Sequence, residues 1–146
     1  PLPNHSFDAV TSFHSMEHWH HSPRRMFHQV LDILKPQGLF FLAVPNCVNL
    51  RKRIFVPLGR GSWSSMHDWY DSPVFRGHVR EPSISDLEYI ARDLNLALYR
   101  IFGRNWLGFI SRYWWVRALT PLADRMLRLA PGLCSDIYLS GYKPGS

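Results

Sequence analysis

The chain has 146 residues, 46% of them hydrophobic and 19% charged, enough to bury the core of one domain and too few for two. This composition excludes a disordered tail, and the longest apolar run, Leu39 to Pro45, falls far short of the roughly 18 residues of a membrane-spanning helix. Lys and Arg number 17 against 11 Asp and Glu, a net charge of +6. Basic residues cluster in Arg51, Lys52, Arg53 and Arg60 and again in Arg100, Arg104, Arg112, Arg117, Arg125 and Arg128, which makes no single binding stripe, so solvated faces, substrate or lipid-surface contacts are favoured over nucleic acid.

Phe7 to Phe13 is short and rich in β-formers, and it reads as a buried strand. Ser22-Pro23 supplies a helix start. Met26, Phe27, Val30, Leu31, Ile33 and Leu34 then recur at helical spacing until Lys35-Pro36-Gln37-Gly38 stops them. Leu39 to Val44 is apolar on both faces, as a parallel strand covered by helices on each side would be. Strand, helix and strand make a βαβ unit. From Pro45 to Glu81 prolines and glycines loosen the pattern, with a short helix expected near Val48 to Val56. Trp63, Trp69, Tyr70 and Phe75 argue that this long loop is ordered and functional. Ser83 to Asp86 has the form of a capping box opening a helix through Leu94, and Leu96 to Phe102 follows as a strand. Trp106 to Leu119 and Pro121 to Leu129 read as two helices separated at Thr120-Pro121, before a closing strand from Ser135 to Tyr142.

The densest polar constellation is His14-Ser15-Met16-Glu17-His18-Trp19-His20-His21, placed where the first strand ends. Ligands of open α/β sheets bind outside the carboxyl ends of strands. On a helical turn His14, Glu17 and His18 share one face, a spacing that lets imidazole and carboxylate hold a divalent cation, and His78 could join them if its loop folds back. The alternative is that these histidines are solvent-facing or bonded to backbone. Cys47 and Cys134 are too few and too scattered for a disulfide framework or a zinc cluster. Free thiols suit a reducing compartment, so a cytoplasmic location is expected.

Leu2-Pro3-Asn4-His5-Ser6-Phe7-Asp8-Ala9-Val10, Met16-Glu17-His18, Val30-Leu31-Asp32-Ile33-Leu34-Lys35-Pro36-Gln37-Gly38-Leu39 and Val44-Pro45-Asn46 occur in this order. Together they resemble the second half of class I S-adenosylmethionine-dependent methyltransferases, in particular the small-molecule (type 11-like) branch. Gly77-His78-Val79-Arg80-Glu81 is similar to a later loop of the family, and Asp136 to Pro144 more thinly to its closing strand. The chain departs from the family at Gln37, where a glycine is usual, and at Met16, where leucine is usual.

The resemblance implies an α/β, Rossmann-like methyltransferase fold in part: strands four to seven of a seven-stranded sheet, the last antiparallel and inserted between the fifth and sixth. Residues 1–146 would form one partial domain. The N-terminal half, with the glycine-rich cofactor loop and the acidic residue on the ribose, would lie upstream of Pro1, which makes the chain a fragment inactive alone. It leaves Ser12, Phe13 and His14 facing the methionine part of S-adenosylmethionine, with His14 as catalytic base or metal ligand. Residues 46–81 would roof the acceptor site, with Asn46, Trp69 and Tyr70 toward the substrate; the two aromatics serve equally well as anchors of the loop. Ubiquinone-type O-methyltransferases and small-RNA 3′-end methyltransferases, which are related, bind a divalent metal here through Glu-x-x-Glu-His and a later His, which Glu17, His18 and His78 match while His14 replaces the first Glu.

The expected function is methyl transfer to an O- or N-acceptor on a small-molecule or lipid- or glycan-linked substrate. The other reading is a non-enzymatic basic module for RNA or another anionic partner; DNA is not expected. Residues 104–131 form an aromatic and basic helical insertion. Its helix, 106–119, is expected to pack in the core, form a homodimer face, or lie on a membrane surface.

Overall fold

A computed structural model describes residues 2–61 and 64–145; Trp63 lies outside the described residues. The elements are β1 (Phe7–Phe13), α1 (Arg24–Ile33), β2 (Leu34–Pro45), α2 (Leu50–Phe55), α3 (Ile84–Asp93), β3 (Ala97–Arg104), α4 (Trp106–Phe109), α5 (Trp114–Leu127) and β4 (Asp136–Tyr142). The sheet order is β1-β2-β4-β3. β1 and β2 are parallel, and β4 runs antiparallel between β2 and β3. This is the expected partial Rossmann-like sheet with its last strand inserted.

Alternation along the strands decides what each face does. Phe40, Leu42 and Val44 of β2 and Ile137 and Leu139 of β4 point to one face, where Phe27, Leu87, Ala91 and Leu94 of the helical segments close the core. Phe27 meets Phe40 edge to face at 5.5 Å, so Phe27→Ala would cost about 3–5 kcal/mol in lost burial and cavity. The opposite face carries Phe13, Phe41, Phe102 and Tyr138, with the last two stacked at 5.1 Å. Phe13 and Phe102 are exposed, so the apolar character of β2 reflects a core on one side and an aromatic row on the other, rather than helices on both.

Helix starts follow side-chain chemistry. Asn49 accepts from the Lys52 N–H to cap α2, and Ser83 and Asp86 form the expected reciprocal capping box of α3, each cap worth about 1 kcal/mol. Two boundaries differ from the sequence reading. β2 begins at Leu34, because Leu34 is fully buried and pairs with Phe7 before a register shift. Gln37 then takes φ +63°, and Gly38 follows where a Cβ would sit 2.8 Å from the Lys35 carbonyl. The helix expected over 106–119 is instead the single turn α4 followed by α5, which runs through Pro121. Pro121 is exposed, while Thr120, which donates to the Val116 carbonyl, and Asp124 anchor the helix on either side of it. Among the described residues no helix is long and apolar enough to cross a membrane.

Candidate active site

Polar side chains converge where β1 and β2 run out. His14 leaves β1 with φ +44°, a left-handed turn that a non-glycine residue adopts only when its surroundings hold it. Its N–H donates to Ala43 and its ring stacks on Trp106 at 5.3 Å. Nδ1 lies 3.4 Å from Glu17 Oε1 and Nε2 3.5 Å from Asp136 Oδ1. Both carboxylates are fully buried. The nearby Glu17 carboxylate, and then Asp136, raise the His14 pKa against the opposing effect of burial. Burial pushes the Asp136 carboxyl up to about 6, against the pull of His14 and the Leu107 N–H. His14 thus sits between two buried carboxyl groups. With both ring nitrogens facing carboxylates, His14 is poorly disposed to act as the base expected from the sequence.

A second cluster lies alongside. The Glu17 carbonyl accepts from the N–H groups of Val79 and Arg80, and His78 N–H donates to Ser64 Oγ; these bonds fold the 64–81 segment back over the end of β1. His18 Nδ1 lies 3.0 Å from the Arg76 carbonyl and 3.2 Å from that of Gly77. A carbonyl only accepts, so Nδ1 carries the proton and Nε2 keeps the lone pair. His78 Nδ1 is 2.7 Å from Glu81 Oε1, and Glu81 is buried in an ion pair with Lys52. With Nδ1–H donating to Glu81, the neutral ring again keeps its lone pair on Nε2. One ligand atom from each of Glu17, His18 and His78 lies within 4.8 Å of the others, and neither Glu17 carboxylate oxygen has a hydrogen-bond partner among the described residues. Buried acceptors of this kind are rarely left unmatched.

A pocket of about 420 Å³ opens beside this cluster, lined by His20, Ser64, Trp69, Phe75, His78 and Val79 among others. Trp69 therefore reaches the pocket, whereas Tyr70 is exposed and is absent from its lining. Asn46 is a correction to the sequence reading. It is fully buried, its Nδ2 donates to the Gly132 and Cys134 carbonyls, and its Oδ1 accepts from the Val48 N–H. With its amide so engaged, Asn46 ties the end of β2 to the start of β4 and has nothing left for a substrate. Ser12 and Phe13 are the last two residues of β1 before His14, and the exposed Phe13 ring lies 5.4 Å from that of Phe41. Sequence reasoning missed Lys52, Glu81 and Asp136 as site residues. Only Glu81, three residues after His78, left a signal.

A βαβ start, an inserted antiparallel last strand and polar groups gathered at the carboxyl ends of β1 and β2 define a class I methyltransferase-type Rossmann-like sheet. A family model described as "Methyltransferase domain" matches residues 2–101, and the chain belongs to that family. No curated protein matches it. Among solved structures it is similar to a SAM-dependent methyltransferase of Archaeoglobus fulgidus, at 17% identity and TM-score 0.52 over 97% of this chain and 62% of that one. A SAM-dependent, possible histamine N-methyltransferase of Thermotoga maritima aligns at 14% identity and TM-score 0.60, over 98% of this chain and 59% of that one. A phosphoethanolamine N-methyltransferase 2 of Haemonchus contortus, in complex with S-adenosyl-L-methionine, aligns at 14% and 0.55, over 99% and 35%. The chain thus spans about three fifths or less of the length of these structures.

Proposed function

We propose that the protein carrying these residues transfers a methyl group from S-adenosylmethionine to a hydroxyl or amine of a small-molecule acceptor, free or carried on a lipid or glycan. Family membership supports the reaction class. The cofactor, when bound, supplies an electrophilic methyl group on its sulfonium. Ser12, Phe13 and His14 would hold its methionine part, and the pocket under residues 64–79 would hold the acceptor. In-line displacement depends mainly on positioning, so the residues that set the acceptor's place and protonation decide the rate.

The single observation that carries this reading is the Lys52-Glu81-His78 chain ending at the pocket. Glu81 fixes the tautomer, His78 Nε2 accepts the proton that a hydroxyl or ammonium acceptor must lose, and the Glu81 carboxylate stabilises the imidazolium formed. His14, between Glu17 and Asp136, positions the end of β1. The test is transfer of labelled methyl from S-adenosylmethionine to a panel of small amines and phenols that includes histamine and phosphoethanolamine. Transfer to a member of the panel that falls on the order of a hundredfold in His78→Ala is the expected result; transfer unaffected by that change, or to no member, would refute it.

A second reading, that Glu17, His18 and His78 bind a divalent metal, is favoured by the buried Glu17 carboxylate, whose oxygens have no hydrogen-bond partner among the described residues, and by the Nε2 lone pairs of the two histidines. A nitrogen-rich site with one carboxylate suits zinc or manganese better than magnesium. The two readings assign different tasks to His78 Nε2. Saturating metal should stabilise the wild type, by about 2.7 kcal/mol at a hundred times Kd, and leave His18→Ala unmoved; equal responses would end this reading.

A further inference from the structure

Helix α5 meets its own domain through a mixed face and leaves an apolar stripe outside. The residues facing inward are Val116, Thr120, Asp124 and Leu127, and Thr120 and Asp124 are buried. Asp124 binds the Arg104 and Arg128 guanidinium groups and the Asn105 N–H, so the acid anchors the helix. Trp115, Leu119, Leu122 and Met126 recur at i, i+4, i+7 and i+11, with Leu129 just past the helix end, and they are 53%, 59%, 63%, 64% and 91% exposed. An ordinary surface helix has the reverse arrangement.

Two observations name the occupant of this stripe. The first is charge. Arg125 borders the stripe and has no ion pair among the described residues. Arg112 lies over the Tyr113 ring at 4.7 Å just before the helix, next to exposed Trp114. The second is place. α5 packs against β3, the edge of the sheet opposite β1, so strands added beyond β1 would leave the stripe uncovered.

We propose that α5 is a peripheral docking surface for an anionic phospholipid bilayer. The helix lies in the interface with Trp115, Leu119, Leu122, Met126 and Leu129 in the acyl boundary, Trp114 and Tyr113 at headgroup level, and Arg112 and Arg125 on lipid phosphates. It stands independently of the methyl-transfer reading.

The test is co-sedimentation with phosphatidylcholine vesicles with and without phosphatidylserine, alongside sedimentation equilibrium without vesicles. The wild type should pellet with the phosphatidylserine vesicles, less so at high salt, and remain monomeric without lipid. Leu119→Ser with Leu122→Ser should lower the partition coefficient at least about tenfold. Arg112→Gln with Arg125→Gln should remove the preference for phosphatidylserine. These positions are exposed, so circular dichroism should show unchanged folding. A wild type that stays in the supernatant, a Leu119→Ser/Leu122→Ser protein that partitions equally, or a lipid-free dimer broken by those changes would each overturn the proposal; the wild-type measurement alone suffices if a variant fails to fold.

Discussion

Replacing Asp136 by Asn isolates the energetic cost of the buried charge cluster. Burial moves the Asp136 carboxyl from an ordinary 3.8 to about 6. Each unit of pKa difference is worth about 1.4 kcal/mol, so the ionised carboxylate costs the fold about 3 kcal/mol at neutral pH. The sign follows from the direction. A carboxyl whose folded pKa is raised favours folding fully below 3.8, and that contribution is lost as pH rises through about 6. His14, also raised, acts in the same sense: its contribution is present below about 6.5 and lost as pH rises through its folded pKa. Asp86, Asp93 and Asp124 are lowered and oppose this trend, but they are common to both proteins and cancel in the difference. Urea denaturation in metal-free buffer from about pH 4 to about pH 8 measures that difference. Asp136→Asn should match the wild type at the acid end and exceed its stability by up to about 3 kcal/mol at the alkaline end. Asn can still accept from the Leu107 N–H, so the variant keeps that hydrogen bond. Parallel stability curves, or a variant less stable above neutrality, would refute the reasoning.

Gln37 occupies a left-handed conformation, so Gln37→Gly should raise stability by about 1 kcal/mol in the same assay; a loss would show that the turn is not strained. Lys52→Met should cost about 3–5 kcal/mol, because Glu81 would remain buried without its cation, and the result should be read as a shift of the urea midpoint. In native protein, Cys134 should resist iodoacetamide, since burial raises its thiol to about 11; rapid labelling would contradict its placement against the Leu127 carbonyl.

Most of the fold was legible because local signals and tertiary demands agree. β1 has the bounds its β-forming run suggests, and Ser83 with Asp86 caps α3 as the capping pattern requires. Pro121 misled because its cost is local, whereas the anchors that keep α5 continuous, Thr120 and Asp124, act through tertiary contacts with β3 and its flanks. Asn46 misled for a similar reason: its place after a strand suggests a ligand contact, but the insertion of β4 brings two carbonyls to its amide. The site was half legible. Glu17, His18 and His78 could be grouped from spacing and resemblance, yet Asp136 lies more than a hundred residues from His14 and reaches it only through the sheet order. Lys52 reads as one member of a basic run, and nothing local distinguishes the lysine that is buried on Glu81 from its solvated neighbours. The inverted face of α5 was similarly hidden, since an apolar stripe in sequence does not say which way it points.

The central claim is that the end of β1 forms a wall of an S-adenosylmethionine site. Calorimetric titration of S-adenosylhomocysteine into the protein, expressed at the length of its structural relatives, and into its Phe13→Ala variant tests it most directly. The account predicts one saturable site in the wild type, weakened about tenfold or more in the variant. Equal affinity in the two proteins, or no binding by the wild type, would contradict it.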